Sequence, residues 1–102
     1  MKPRSELDAE LREILGSNNL YFQPQASVKL SYPCIIYSLS RINSRKANNH
    51  FYFGHKKYDI QVIDKDPDST IPEALLDHFP TCSYDRTFVS DNLNHFNLSL
   101  YY

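Results

Sequence analysis

Cys82 and His78 are the residues of this chain best suited to nucleophilic catalysis, because they stand four positions apart. A thiol becomes a strong nucleophile when a neighbouring imidazole lowers its pKa. Nothing nearby in the sequence would orient the imidazole or build an oxyanion site. We therefore predict that the pair has no catalytic role and that the protein is not an enzyme.

The acidic residues Asp64, Asp66 and Asp68 alternate as in the opening of a calcium-binding loop. Such a loop needs glycine at its sixth position and a bidentate glutamate at its twelfth, where this chain has Ser69 and Leu75. The run therefore predicts an acidic turn. The four histidines have no metal-ligand spacing, and two glycines provide no phosphate-binding loop. We predict neither a metal nor a cofactor.

Cys34 lies in an apolar run and is expected to be an inert core thiol. With Cys82 it forms neither a metal-binding spacing nor a disulfide framework. The segment 1–15 is charged throughout, unlike a signal peptide, and no apolar run approaches transmembrane length. These features favour a reduced, cytoplasmic setting and no membrane contact.

Charge is distributed unevenly, although the net charge is only −1. Residues 14–58 include six basic residues and no acidic one, whereas residues 59–102 include eight acidic residues and two basic ones. Aromatic residues interrupt the basic stretch Arg41–Tyr58. It could contact nucleic acid through phosphates and stacking, it could be a solvated hairpin, or it could contact another protein.

The stretch 57–79 organises the rest of the fold. Alternating Tyr58, Ile60 and Val62 predict a strand with one buried face. An acidic turn follows. Thr70 and Glu73 have the spacing of a capping box and predict a helix that ends at Phe79 and Pro80.

The other predicted elements follow from the same periodicities. A helix starts at Ser5 and ends at Gly16, where a left-handed residue is favoured. Residues 41–49 are expected to be the tip of a long hairpin or a mobile loop, and residues 84–89 an edge strand or a lead-in. The predicted strands are residues 19–23, 34–39, 51–63 and 96–102, with 35–39 and 51–63 paired antiparallel.

We predict one α+β domain, residues 1–102: a mainly antiparallel sheet of about four to five strands with two helices on one face. The helices should bury one apolar stripe each against the sheet. The predicted core consists of Leu7, Leu11, Ile14, Leu15, Leu75, Leu76 and Phe79 on the helices, with Ile35, Tyr37, Ile60, Val62, Leu98 and Leu100 on the sheet.

Several of these features together resemble the tail terminator (tail completion) proteins of long-tailed bacteriophages. They are the short first helix, Tyr32-Pro-Cys-Ile-Ile-Tyr37, Tyr58-Asp-Ile-Gln-Val62, the capped second helix and Asp91-Asn-Leu-Asn-His95. The resemblance implies a hexameric ring in the virion neck, assembled in the host cytoplasm. The ring would cap the tail tube, end its polymerisation and meet the head connector, with genomic DNA passing through the lumen without sequence-specific contact.

Two alternatives stand beside this interpretation. The head-closure (stopper) proteins of the same neck are similar, and a small monomeric module could instead contact nucleic acid through Arg41–Lys57. In a ring, the basic and acidic regions of neighbouring copies would meet head to tail, with two aromatic residues as buried anchors. The predicted interface residues are Arg41, Arg45, Lys46, Phe51, Tyr52, Lys56, Lys57, Asp64, Asp66, Asp68, Glu73 and Asp77.

Overall fold

The computed structural model describes residues 2–47 and 50–102, with side chains described for residues 2–42 and 56–102. Two helices and five strands form an α+β fold, which confirms the predicted class. The sheet order is β1-β2-β3-β5-β4; β1 runs parallel to β2, and every other pair is antiparallel. In chain order the elements are α1 (Arg4–Leu15), β1 (Leu20–Phe22), β2 (Cys34–Ala47), β3 (His50–Asp64), α2 (Ile71–His78), β4 (Cys82–Ser90) and β5 (Leu93–Tyr101).

Helix α1 begins one residue earlier than the sequence predicted. Pro3 is its N-cap and provides no side-chain hydrogen bond, so Ser5 does not open the helix. At the other end Gly16 adopts φ 77°, and its N–H donates to the Arg12 carbonyl. The predicted glycine termination is therefore confirmed.

Helix α2 has the predicted N-cap residue but not the predicted capping box. Thr70 has φ −88° and ψ −7°, and its side chain makes no capping hydrogen bond. A capping side chain normally stands on extended backbone, whereas Thr70 is already helical. The Ser69 hydroxyl accepts from the Ile71 N–H instead, at 3.4 Å. The helix ends as predicted, with the Phe79 N–H bonded to the Leu75 carbonyl.

Both helices cover the same face of the sheet, as predicted. Leu7 and Leu11 of α1 and Leu75 of α2 are fully buried there. Ile14, Leu15 and Leu76 pack at the margin and are only partly buried. The sheet residues under the helices are Ile35, Tyr37, Tyr58, Ile60, Val62, Phe96, Leu98 and Leu100.

The ladder of β2 and β3 is longer than the sequence indicated. Residues 41–49 were expected to form a hairpin tip or a mobile loop, but β2 continues to Ala47, which pairs with His50. The hairpin alternative is therefore confirmed for the described backbone. A register shift between Leu39 and Arg41 inserts one extra residue in β2.

Residues 84–89 were expected to be an edge strand or a lead-in. They lie in β4, the outer strand of the sheet, so the edge-strand alternative is confirmed. Asp91 and Asn92, both with positive φ, join β4 to β5 in a two-residue turn. Most β4 side chains are exposed, and Val89 retains 68% of its accessible surface.

Candidate assembly interface

The β2–β3 ladder extends past the body of the sheet, and we call this extension the arm: Arg41–Ala47 of β2 with His50–Lys56 of β3. On one side, β1 pairs with β2 only from Ile35 to Tyr37. On the other side, β5 ends at Tyr101, opposite Lys57. At the usual rise of a strand the arm is roughly 20 Å long. The Tyr102 backbone exchanges two hydrogen bonds with Lys56, and beyond that residue no third strand of the described chain pairs with the arm.

Where the arm leaves the body of the sheet, cations stand with exposed apolar side chains. We call this region the arm root: Leu39, Arg41, Ile42, Lys56 and Lys57. Ile42 pairs with Lys56 and retains 55% of its accessible surface. Arg41 pairs with Lys57, and its guanidinium donates to the Tyr101 hydroxyl at 3.3 Å. That hydrogen bond lowers the pKa of the Tyr101 phenol. The root thus presents an apolar side chain beside positive charge.

The remaining predicted residues of the basic region lie beyond what the structure describes at side-chain level. The backbones of Arg45, Lys46, Phe51 and Tyr52 belong to the arm. Their side chains lie outside the described residues, so their part in an interface stays a prediction.

The acidic turn stands at the far end of β3 from the arm. The Asp66 N–H donates to an Asp64 carboxylate oxygen at 3.0 Å, and the Asp68 N–H donates to Asp66 at 2.9 Å. Two carboxylates therefore shape the turn, as expected for Asp in turns. By strand geometry Lys57 and Asp64 are roughly 20 Å apart. The acidic turn and the predicted basic residues thus lie at opposite ends of the β3–β5 ladder. Asp77 does not share this position, because α2 runs back from the turn and ends at Phe79, whose ring lies 6.1 Å from that of Tyr102, the backbone partner of Lys56.

A groove of about 290 Å³ lies between the acidic turn, α2 and β4. Its lining includes apolar or aromatic Pro72, Leu76, Tyr84 and Phe96, and acidic Asp68 and Glu73. Tyr84 retains 47% of its accessible surface, so part of its ring is exposed in the groove. We call this feature the end groove.

Sequence reasoning identified the acidic residues of the end groove but missed Tyr84 and Phe96. Tyr84 lies in β4 and pairs with Leu98, whereas Phe96 lies in β5 and pairs with Thr87. Only the order of the strands brings both rings beside α2. For Tyr84, the available signal in the sequence was an aromatic residue within a short segment of mixed polar and apolar residues. Asp64, Asp66 and Asp77 were also predicted, but they do not line the end groove.

A second depression, of about 460 Å³, occupies the sheet face opposite the helices. Its polar groups bond to one another: the Gln61 side-chain amide donates to Asn97 at 3.0 Å, and the Ser99 hydroxyl donates to Asp85 at 2.6 Å. Arg86 lies over the ring of Phe88, 5.1 Å from its centroid. These polar pairs make the face suitable for contact with water.

A cluster of ionisable groups fastens α1 to the sheet. The Tyr37 hydroxyl donates to Asp8 at 2.6 Å and accepts from Arg4 at 3.1 Å, while Arg12 donates to Asp8 at 2.8 Å. Burial raises the pKa of the Asp8 carboxyl, but the bonds from Tyr37 and Arg12 outweigh burial and leave this pKa below its usual value. Burial and Asp8 raise the pKa of Tyr37 to about 12. Because these groups satisfy one another, the cluster is structural.

Among the side chains that the structure describes, none activates either thiol. Burial raises the pKa of Cys34 and of Cys82 to about 11, so both thiols are protonated at neutral pH. His78 lies 3.1 Å from Glu10 and packs its ring edgewise on Phe79. The described residues also hold no group of three or more side chains able to bind a metal.

The chain matches no protein-family model and no curated protein in sequence. In the part of the chain that the structure describes, no helix is long and apolar enough to cross a membrane.

Proposed function

We propose that this chain is a structural protein of the neck of a long-tailed bacteriophage. It would form a ring that caps the tail tube, ends tail polymerisation and joins the tail to the head connector. The observation that carries the proposal is the arm. An isolated two-stranded hairpin is marginally stable in water, and its unpaired edges are templates for another chain. The arm is therefore best suited to a place inside an assembly.

The distribution of charge and apolar surface supports assembly from identical subunits. Cations stand at the arm root beside the exposed Ile42, and the carboxylates of Asp68 and Glu73 line the end groove with apolar and aromatic groups. Unlike patches on different sides of a protein make contacts that run head to tail, and such contacts close into a ring when the rotations between neighbours add up to a full turn. The proposed partners are other copies of the chain, the tail-tube protein and the head connector, with genomic DNA in the lumen.

The cations at the arm root also favour a second candidate function. Arg41, Lys56 and Lys57 could neutralise phosphates, so the chain could be a monomeric module that contacts nucleic acid. A head-closure protein of the same neck is a further candidate, because it would share the requirement for a ring. It differs in its partner, which would be the portal side of the neck rather than the tail tube.

The decisive measurement is the mass of the protein in solution, alone and with the tail-tube protein. We expect a ring in at least one of these conditions and capped tubes of fixed length in electron micrographs. A chain that stays monomeric in both and binds DNA with a steep salt dependence would overturn the proposal in favour of the nucleic-acid module. A ring that binds only portal-side partners would favour head closure.

A variant without the arm tests the observation behind the proposal. Replacing residues 42–56 with Asn-Gly leaves Arg41 and Lys57 joined by a two-residue hairpin turn. We expect this variant to fold, because the core residues are unchanged, and to remain monomeric. A ring of normal size from the shortened chain would show that the arm is not needed for assembly.

A further inference from the structure

We infer that the end groove receives the arm root of a second copy of this chain. The inference rests on the proposed function and specifies the contact between neighbouring subunits. The groove has an apolar floor that includes Leu76, Tyr84 and Phe96, and it is lined on one side by the carboxylates of Asp68 and Glu73. It therefore suits a ligand that is both apolar and cationic.

The arm root has the complementary chemistry. Ile42 and Leu39 are exposed, at 55% and 37% of their accessible surface. Lys56 lies opposite Ile42 on the same face of the ladder, while Arg41 and Lys57 form the next pair and point to the other face. Buried apolar contact would supply most of the affinity, while the charge pairs at the edge would steer the approach and fix the register.

A contact within one chain is excluded by distance. The arm root and the acidic turn lie at opposite ends of the β3–β5 ladder, roughly 20 Å apart by strand geometry. The arm that fills the groove must therefore come from another copy, and the interface is head to tail. DNA is a poor occupant, because its phosphates would face Asp68 and Glu73. The depression on the open sheet face is less suitable, because its polar groups already bond to one another.

Charge reversal on both sides gives a sharp test. The first variant carries Lys56→Glu and Lys57→Glu, and the second carries Asp68→Lys and Glu73→Lys. Each alone would oppose like charges at every interface, so we expect its assembly midpoint concentration to rise by about tenfold or more at low salt. High salt should reduce the difference in midpoint concentration between each variant and the wild type.

Mixing the two variants restores complementarity at every interface. The native groove of the first variant faces the native arm of the second, and the two reversed surfaces face each other. We therefore expect an equimolar mixture to form rings of alternating subunits near the wild-type midpoint. One chain carrying all four changes should also assemble.

Milder variants keep the test valid should a reversal prevent folding. Glu73→Gln should weaken assembly, whereas Asp77→Asn, on the same helix but outside the groove, should not. Lys56→Gln should weaken it, whereas Lys29→Gln, an exposed lysine outside the arm, should not. Thermal unfolding checks that each variant is folded.

The outcomes separate this inference from the proposed function. If wild-type rings form and both reversed variants form them at the wild-type concentration, the groove contact is wrong while the ring stands. If each variant assembles poorly alone and the mixture assembles poorly as well, the charges matter at some other contact, and the inference is again wrong. If the wild-type chain forms no ring even with the tail-tube protein, the proposed function is wrong as well.

Discussion

The body of the sheet and the arm share the same two strands but are held in place differently. In the body, Tyr37 and Ile60 face each other across β2 and β3, and both are buried beneath the helices. At the arm root, Ile42 and Lys56 face each other in the same ladder, and Ile42 is largely exposed. The pairing continues past the helix-covered body to Ile42 and Lys56, but Ile42 is not buried there.

This difference separates the residues that should control the stability of a protomer from those that should control the proposed assembly. A buried side chain contributes to unfolding free energy in proportion to the apolar area it removes from water. An exposed side chain on a two-stranded ladder contributes little until another surface covers it. Substitutions in the body should therefore change stability first, and substitutions at the arm root should change assembly without changing the stability of a protomer.

The largest expected effect is in the body, at Leu75. Its side chain is fully buried between α2 and the sheet, so Leu75→Ala should lower the free energy of unfolding by about 2–5 kcal/mol. Denaturant unfolding of the monomeric, arm-shortened chain measures this without interference from assembly. Val28→Ala is the control, because Val28 is 42% exposed and should change little. A loss below about 0.5 kcal/mol at Leu75 would contradict its place in the core.

The second-largest change in unfolding free energy is expected from the hydrogen bond between Tyr37 and Asp8. Tyr37→Phe keeps the ring and removes the hydroxyl that donates to a carboxylate at 2.6 Å, which should cost about 1.5–3 kcal/mol. Tyr84→Phe is the matched control, because the Tyr84 ring is half exposed and should leave unfolding unchanged. Equal losses for the two variants would show that the Asp8 cluster does not stabilise the body.

A smaller effect on stability is expected at acidic pH, and it comes from the carboxyl group of Glu10. A hydrogen bond from the Tyr102 hydroxyl, assisted by His78, lowers the pKa of Glu10 below its ordinary value of 4.5. Because the folded pKa is the lower one, this stabilisation is complete above pH 4.5 and is lost as pH falls through the folded pKa. Glu10→Gln should therefore flatten the decline of stability below pH 4.5, measured by denaturant midpoints. An unchanged slope would rule out this coupling.

The smallest change in stability is expected at the arm root. Ile42→Ser should alter the free energy of unfolding of a protomer by less than about 0.5 kcal/mol, because Ile42 is exposed. The same variant should assemble markedly less well, as measured by the mass distribution in solution. Ser40→Ala, on the same strand, is the control for a neutral change. A large loss of protomer stability with normal assembly would reverse the distinction between body and arm.

Much of the fold followed from local patterns in the sequence. Alternation at Tyr58, Ile60 and Val62 predicted the buried face of β3, and Gly16 predicted the end of α1. The helical stripes predicted the side of each helix that is buried. These features depend on periodicity and on backbone preferences of single residues, so the sequence determined them without reference to distant segments.

Contacts between distant segments were decided only in three dimensions. The sequence could not place β1 parallel at one edge or β4 at the other, because strand order depends on how the whole sheet closes over the helices. It could not exclude a loop after Leu39, since polar residues such as Asn43 and Ser44 favour turns and loops, and only the pairing with β3 places them in a strand. Nor could it bring Tyr84 beside Glu73 in the end groove. The charged residues of the proposed interface were visible in the sequence, but only the tertiary structure grouped Asp68 and Glu73 with the aromatic side chains between α2 and β4.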